Sequence, residues 1–336
     1  MPTGSGTAAF IMLHSATAHL ILYLCPISMA VYYDINKVPT FTNAVITIGA
    51  YDGVHDGHKA ILRKVAARAR EVNGESILIT FEPHPRKLLF PDKPLGIITP
   101  LAEKIDYALE TGIEHIVVAP FTREFSAMSA HDYIEQFLAR VFKPHTIIIG
   151  YDHRFGHDRA GGIELLIKYA PEYGYELIEI PAQLIDEAAV SSTKIRNAIR
   201  EGNMQLAAHM LGRPYSVAGT VAHGAKLGRT IGYPTANLNP AEPDQLLPCN
   251  GVYAILATHN GRTHKGMASI GYNPTVTDKK ELRIEGNLFD FASEIYGDAI
   301  TFQFIKRLRD EQKFDSLAAL THQLHLDKEN TLEVLA

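Results

Sequence analysis

The chain has 336 residues, 46% hydrophobic and 21% charged, with a formal net charge of −5. That length leaves room for two or three domains of about 100–200 residues each, and the composition excludes a fibrous or wholly disordered chain. Neither residues 1–214 nor residues 215–336 carry a basic surplus, so nucleic acid is not the expected partner.

The apolar stretch Phe10–Tyr33 is interrupted by His14, Ser15, Thr17 and His19, and no Lys or Arg precedes Lys37. The positive flank of a signal peptide is missing, and Ala18–Ala30 is too short and broken for a membrane span. Three readings compete: a degenerate targeting segment, an ordered extra element, and an upstream extension of a protein starting at Met29. The third is favoured because recognisable domain sequence begins after it, and residues 1–28 are set apart. Cys25 and Cys249 are too few for a disulfide framework and lack zinc-site spacing, so a reducing, cytoplasmic setting without membrane partners is expected. The oligomeric state is left open.

From Ala44 to about Gly212, short apolar runs alternate with helical patterns. The runs are Ala44–Ile48, Ser76–Phe81, Glu114–Ala119, Thr146–Ile149 and Glu176–Ile180. Between the first two, Ile61, Leu62, Val65, Ala69 and Val72 share a helical face that Asn73-Gly74 stops. Leu101–Leu109, Tyr133–Phe142 and Ile163–Tyr169 behave similarly. The expected fold class of residues 29–212 is therefore α/β, a parallel sheet with helices on both faces. After Tyr215 the runs Ser216–Val221, Val252–Thr258, Thr263–Ile270, Leu282–Phe289 and Ala299–Ile305 read as strands. Asn260-Gly261 marks a hairpin, and Leu317–Leu326 reads as a closing helix. A small antiparallel β-barrel over residues 213–336 is expected, with the boundary near Arg213-Pro214.

Chemistry is concentrated in a few segments. Gly49-Ala50-Tyr51-Asp52-Gly53-Val54-His55-Asp56-Gly57-His58 joins a predicted strand to a predicted helix. Glycines there let backbone approach a ligand, and the helix N-terminus suits phosphate. Two histidines three apart beside it can donate to phosphate oxygens. A structural glycine turn with two exposed histidines is the plain alternative. The segment resembles the HxGH signature of the nucleotidyltransferase superfamily, which places it in a Rossmann-like domain. That superfamily's second signature, a Ser/Thr-rich turn into a basic helix, is matched by Val190-Ser191-Ser192-Thr193-Lys194-Ile195-Arg196.

Further segments resemble the bacterial bifunctional riboflavin kinase/FAD synthetase family. Thr80-Phe81-Glu82-Pro83-His84-Pro85 is similar to its FEPHP block. Gly150-Tyr151-Asp152-His153-Arg154-Phe155-Gly156, with Arg159 and Gly161, is similar to its G-x-D/N-F-x-F-G-x-x-R-x-G block. Gly219-Thr220-Val221-Ala222-His223-Gly224 followed by Leu227-Gly228-Arg229-Thr230-Ile231-Gly232-Tyr233-Pro234-Thr235-Ala236-Asn237-Leu238 resembles its kinase signature. Leu308-Arg309 and Lys313-Phe314 resemble a stretch that closes over the flavin. Tyr51 and His153 replace usual phenylalanines, and Ser269 stands where asparagine is common. The resemblance runs from about Thr47 to Leu326.

The resemblance implies Mg²⁺, ATP as co-substrate, and riboflavin, FMN and FAD as substrates and products. In the first domain it implies His55 and His58 as catalytic groups, with Gly49, Tyr51, Asp52, Gly53, Gly57, Ser191, Ser192, Thr193 and Arg196 on the nucleotide. It puts His84, Asp152, Phe155 and Arg159 near the flavin and its phosphates. In the second domain it implies Glu285 as the base for the riboflavin 5′-hydroxyl and Thr235 and Asn237 as Mg²⁺ ligands. Gly224, Gly228 and Thr230 would meet nucleotide, and Arg309 flavin. Two competitors remain: a class I tRNA-ligating enzyme with a barrel appendage, and a non-catalytic flavin-binding regulator. The missing basic domain and the Pro-Thr-Ala-Asn segment argue against the first. The retained His55, His58, Thr235, Asn237 and Glu285 argue against the second. A chain with a single active half is a third possibility, with Ser269 and His153 the positions to suspect.

Overall fold

The computed structural model describes residues 29–93, 95–181, 190–223, 227–273 and 281–336. The expectations for residues 1–28 and for Gly224 lie outside the described residues.

The five apolar runs of the first half form parallel strands: β2 (Val45–Ile48), β3 (Ser76–Glu82), β4 (His115–Pro120), β5 (Thr146–Gly150) and β6 (Glu176–Ile180). A short strand that the sequence reading lacks, β1 (Ala30–Tyr32), pairs in parallel with β4 and makes six, in the order β1-β4-β3-β2-β5-β6. Three residues carry no readable alternation, which is why it escapes detection. Every residue of β2 is buried, as a central strand covered on both faces requires. On one face the helix Asp56–Glu71 packs Leu62, Val65 and Ala69 against Val45, Leu78 and Ile148. On the other, a π-helical run Tyr133–Phe142 packs Phe137, Leu138 and Phe142 against Ile46, Ile79 and Ile147.

The chain leaves β2 toward β3 on one side and returns to β5 on the other. Such a reversal opens a crevice beyond the carboxyl ends of the strands, where ligands of open α/β sheets bind. The segment beginning at Gly49 follows β2 and the one beginning at Gly150 follows β5, so both emerge at that crevice.

The second half closes six antiparallel strands into a barrel: β7 (Tyr215–Ala222), β8 (Ala236–Pro240), β9 (Gly251–His259), β10 (Arg262–Asn273), β11 (Glu281–Leu288) and β12 (Ala299–Arg309). Closure removes the exposed edges of the sheet. Asn260 and Gly261 both take positive φ, at 46° and 74°, and His259 pairs with Arg262, so the hairpin loop is two residues long. β8 is a strand that the sequence reading does not include, because its residues lie within the segment read as a kinase signature. Its Ala236 and Leu238 are buried while Asn237 and Asn239 are not, the alternation of a barrel strand. The C-terminal helix runs on from Leu317 to Val334 rather than stopping at Leu326.

The barrel core does not end at the barrel. Tyr253, Phe302 and Phe304 share one buried cluster with Ile195, Ile199, Ala207 and Leu211. Those last residues belong to two helices, Ser192–Arg200 and Met204–Leu211, that precede the expected boundary.

Candidate functional sites

The turn after β2 is built from backbone that few residues tolerate. Tyr51, Gly53 and Val54 take φ of 48°, 97° and 39°. Left-handed geometry at two residues with Cβ atoms costs energy, so the surroundings must hold it. The Tyr51 hydroxyl lies 2.6 Å from Thr47 Oγ1. Arg213 reaches in from the start of the second half, donating from Nη2 to Gly53 O at 2.8 Å and to Thr99 Oγ1 at 3.1 Å. Its guanidinium also lies 3.7 Å from the centre of the Tyr107 ring.

His55 caps the helix, its Nδ1 accepting from His58 N at 3.4 Å. The two imidazoles stack with centroids 3.7 Å apart. Burial holds His55 neutral and pulls its pKa down to about 4. Burial also lowers His58 well below its ordinary value, with His55 and Lys104 pushing the same way. Gly57 is buried between them in the first turn. The His58 Nδ1 is sealed from solvent and has no hydrogen-bond partner among the described residues. Gly49 lies against the Tyr51 ring, which an added Cβ would meet at 3.0 Å.

Asp52 and Arg196, both expected on the nucleotide, are brought together with each other. Arg196 Nη2 donates to Asp52 Oδ2, and the two side chains are 7% and 3% exposed. Asp52 Oδ1 also accepts from Ile98 N and Thr99 N, each at 3.0 Å, and Arg196 Nε donates to Gly96 O. Ser192 Oγ donates to Asp52 O at 2.9 Å. Ser191 is the N-cap of the helix, accepting from Lys194 N, and Thr193 is exposed beside it. The two signatures, 140 residues apart, therefore meet at one point. His84 caps the short helix after β3, and burial lowers its pKa to about 4.

The loop after β5 places its residues less uniformly. Asp152 and Arg159 are exposed, the latter at φ 58°. Phe155 instead turns inward and stacks on Tyr133 at 4.9 Å, serving the core.

In the barrel, Glu285 on β11 sits directly across from Asn237 on β8. Thr235 Oγ1 lies 3.5 Å from Glu285 Oε2. Three oxygen-bearing side chains thus converge, a hard-donor set that suits Mg²⁺. Gly228 lies so close to Tyr233 that an added Cβ would stand 2.1 Å from its carbonyl oxygen. Thr230, which is exposed, ends the short helix Leu227–Thr230. Arg309 makes a two-pronged ion pair with Asp327 of the C-terminal helix, at 2.8 and 2.6 Å.

Lys104, Arg213 and Asp327 are not among the site residues that the sequence reading names. Asp327 and Arg213 had no local signal. Lys104 had one, because it lies on the apolar stripe of its helix with Leu101, Ile105 and Ala108.

Residues 37–194 match the family described as FAD synthetase, and residues 211–335 match riboflavin kinase. A bifunctional riboflavin kinase/FMN adenylyltransferase of Listeria monocytogenes is 38% identical over 91% of this chain and 95% of its own. One of Escherichia coli K12 is 36% identical over 88% and 94%. A crystal structure described as a macrolide-efflux protein from Streptococcus pneumoniae is 32% identical, with a TM-score of 0.81 over 90% of this chain and 98% of that one. Among the described residues no helix is long and apolar enough to cross a membrane.

Proposed function

The chain belongs to the bifunctional riboflavin kinase/FMN adenylyltransferase family, and from that premise we propose how two sites divide its work. The protein phosphorylates riboflavin with ATP and adenylylates the resulting FMN to FAD, releasing pyrophosphate.

In the barrel, Glu285 takes the proton of the riboflavin 5′-hydroxyl as that oxygen attacks the γ-phosphorus of ATP and ADP leaves. A positioned carboxylate contributes about 10²–10⁴-fold to such a step. Thr235 and Asn237 would hold Mg²⁺, which supplies charge neutralisation on the phosphates when bound. Gly228 and Thr230 shape the turn that the nucleotide meets, and Arg309 fixes the C-terminal helix beside the flavin. At the crevice of the parallel sheet, an FMN phosphate oxygen attacks the α-phosphorus of a second ATP. His55 and His58, both held neutral, donate N–H groups to the oxygens on which charge accumulates. The Asp52–Arg196 pair and Ser192 tie the second signature to the turn and so position the histidines. His84, Asp152 and Arg159 face the flavin phosphate side. Phe155 supports the loop from beneath. We place the activity in the cytoplasm, without nucleic-acid or membrane partners.

The observation that carries the assignment is the pair of separate side-chain clusters, stacked imidazoles at the sheet crevice and an in-register Glu–Asn pair in the barrel. The test is incubation with riboflavin and Mg-ATP, with FMN and FAD resolved by chromatography. His55→Ala with His58→Ala stalls the path at FMN. Glu285→Ala blocks FMN formation yet converts supplied FMN to FAD. Loss of both steps in either folded variant would overturn the two-site assignment.

A further inference from the structure

Lys104 is 4% exposed, an unusual place for an ammonium group. Its Nζ lies 3.5 Å from Thr80 Oγ1, at the outer limit of a hydrogen bond. Among the described residues no carboxylate comes within ion-pair distance of it. Asp52 and Glu82 act on it only through space, and Asp52 already neutralises Arg196. A buried charge in this condition destabilises the fold, so its retention asks for another reason.

Its neighbours supply one. Thr80 Oγ1 also donates to Ala50 O at 3.3 Å, which ties the lysine to the turn carrying His55 and His58. Beside that geometry, the positive field of Lys104 favours the neutral forms of His58 and His84, as burial of each ring already does. His58 Nδ1 is itself buried with no hydrogen-bond partner among the described residues. Among the described residues, a cation with one weak contact and an imidazole nitrogen with none are thus held around one turn at the sheet crevice.

We propose that Lys104 is a catalytic residue of adenylyl transfer, its ammonium bound to the ATP triphosphate and to the departing pyrophosphate. The proposal rests on the assignment of that reaction to the His55–His58 turn. As the FMN oxygen bonds to the α-phosphorus, the bond to the α–β bridging oxygen breaks and its electron pair leaves on pyrophosphate. Lys104 keeps its proton throughout and offsets the negative charge that accumulates there. A preorganised donor removed from such a place costs about 100-fold or more in rate.

The full-length Lys104→Met chain tests this, because methionine keeps the apolar stem and deletes the charge. The expected result has three parts. FMN forms from riboflavin at the parent rate, and FAD formation falls about 100-fold. In the reverse direction, with FAD supplied, half-saturation by inorganic pyrophosphate moves up about tenfold. The unfolding temperature stays level or rises, because a buried charge is gone. Lys104→Arg recovers part of the pyrophosphate affinity. If Lys104→Met loses kinase activity through misfolding, Lys104→Gln is read by the same three measurements. The proposal is overturned if FAD formation stays within threefold of the parent with pyrophosphate saturation unmoved. It is equally overturned if the unfolding temperature drops while pyrophosphate saturation is unmoved, since the lysine then serves the fold. If His55→Ala with His58→Ala also leaves FAD formation intact, the site assignment has failed and this inference goes with it.

Discussion

Asp52→Asn isolates the contact that joins the two signatures of the parallel-sheet half. In the parent, Asp52 faces Arg196 with 3% and 7% of the side chains exposed, and it also accepts from Ile98 N and Thr99 N. The amide keeps one acceptor but removes the charge, and it leaves the guanidinium buried without its counter-ion. Breaking one side of a buried pair costs about 3–5 kcal/mol. For a folding unit of roughly 150–250 residues, each kcal/mol lowers Tm by about 2–4 °C, so a fall of roughly 6–20 °C follows. The chain has no tryptophan, which makes calorimetry the suitable assay. Arg196→Met on top of Asp52→Asn removes the stranded cation and returns about 2 kcal/mol or more, a coupling read from the double-mutant cycle. A fall of less than about 2 °C for Asp52→Asn, or strict additivity in the cycle, would refute the reasoning.

Three further outcomes follow from other contacts. Burial lowers His55 and His84 to about 4 from an ordinary 6.5, so the unfolded chain binds protons that the native chain refuses. Their contribution is full above pH 6.5 and is lost as the pH falls toward 4; His84→Gln flattens the Tm-versus-pH slope in that window, and an unchanged slope counts against the idea. Gly228→Ala puts a Cβ 2.1 Å from Tyr233 O, so FMN formation falls about tenfold or more while FMN-to-FAD conversion persists in a coupled-product assay. Asp327 is fully buried against Arg309, and Asp327→Asn lowers stability by about 3 kcal/mol in a urea titration, with a shift under 1 kcal/mol arguing that the pair is solvated.

The parallel strands are legible in the sequence because a strand covered on both faces must be apolar throughout, and β2 to β5 read that way. β6, with Glu176 and Glu179 exposed, is legible through its position in the alternation more than its own pattern. β8 is hidden inside a motif whose proline and glycines read as turn, although its inward Ala236 and Leu238 obey a period of two. The site residues come as motifs, and motifs do not state partners. Asp52 and Arg196 neutralise each other across 144 positions, a pairing with no local signature. Arg309 finds Asp327 in the same way. Phe155 looks like any other ring in its block until the Tyr133 face beneath it is seen. Lys104 is the opposite case, a charge on an apolar helical stripe that the periodicity exposes.

Ile195, Ile199, Ala207 and Leu211 are buried among the side chains of the barrel, although all four precede Arg213-Pro214. Gene fission at that dipeptide would strip the barrel of part of its own interior and leave a bare greasy flank prone to aggregation. A lineage that parted the two activities onto separate polypeptides would have to cut upstream of Ser191. The Asp52–Arg196 pair would then have to re-form between two molecules.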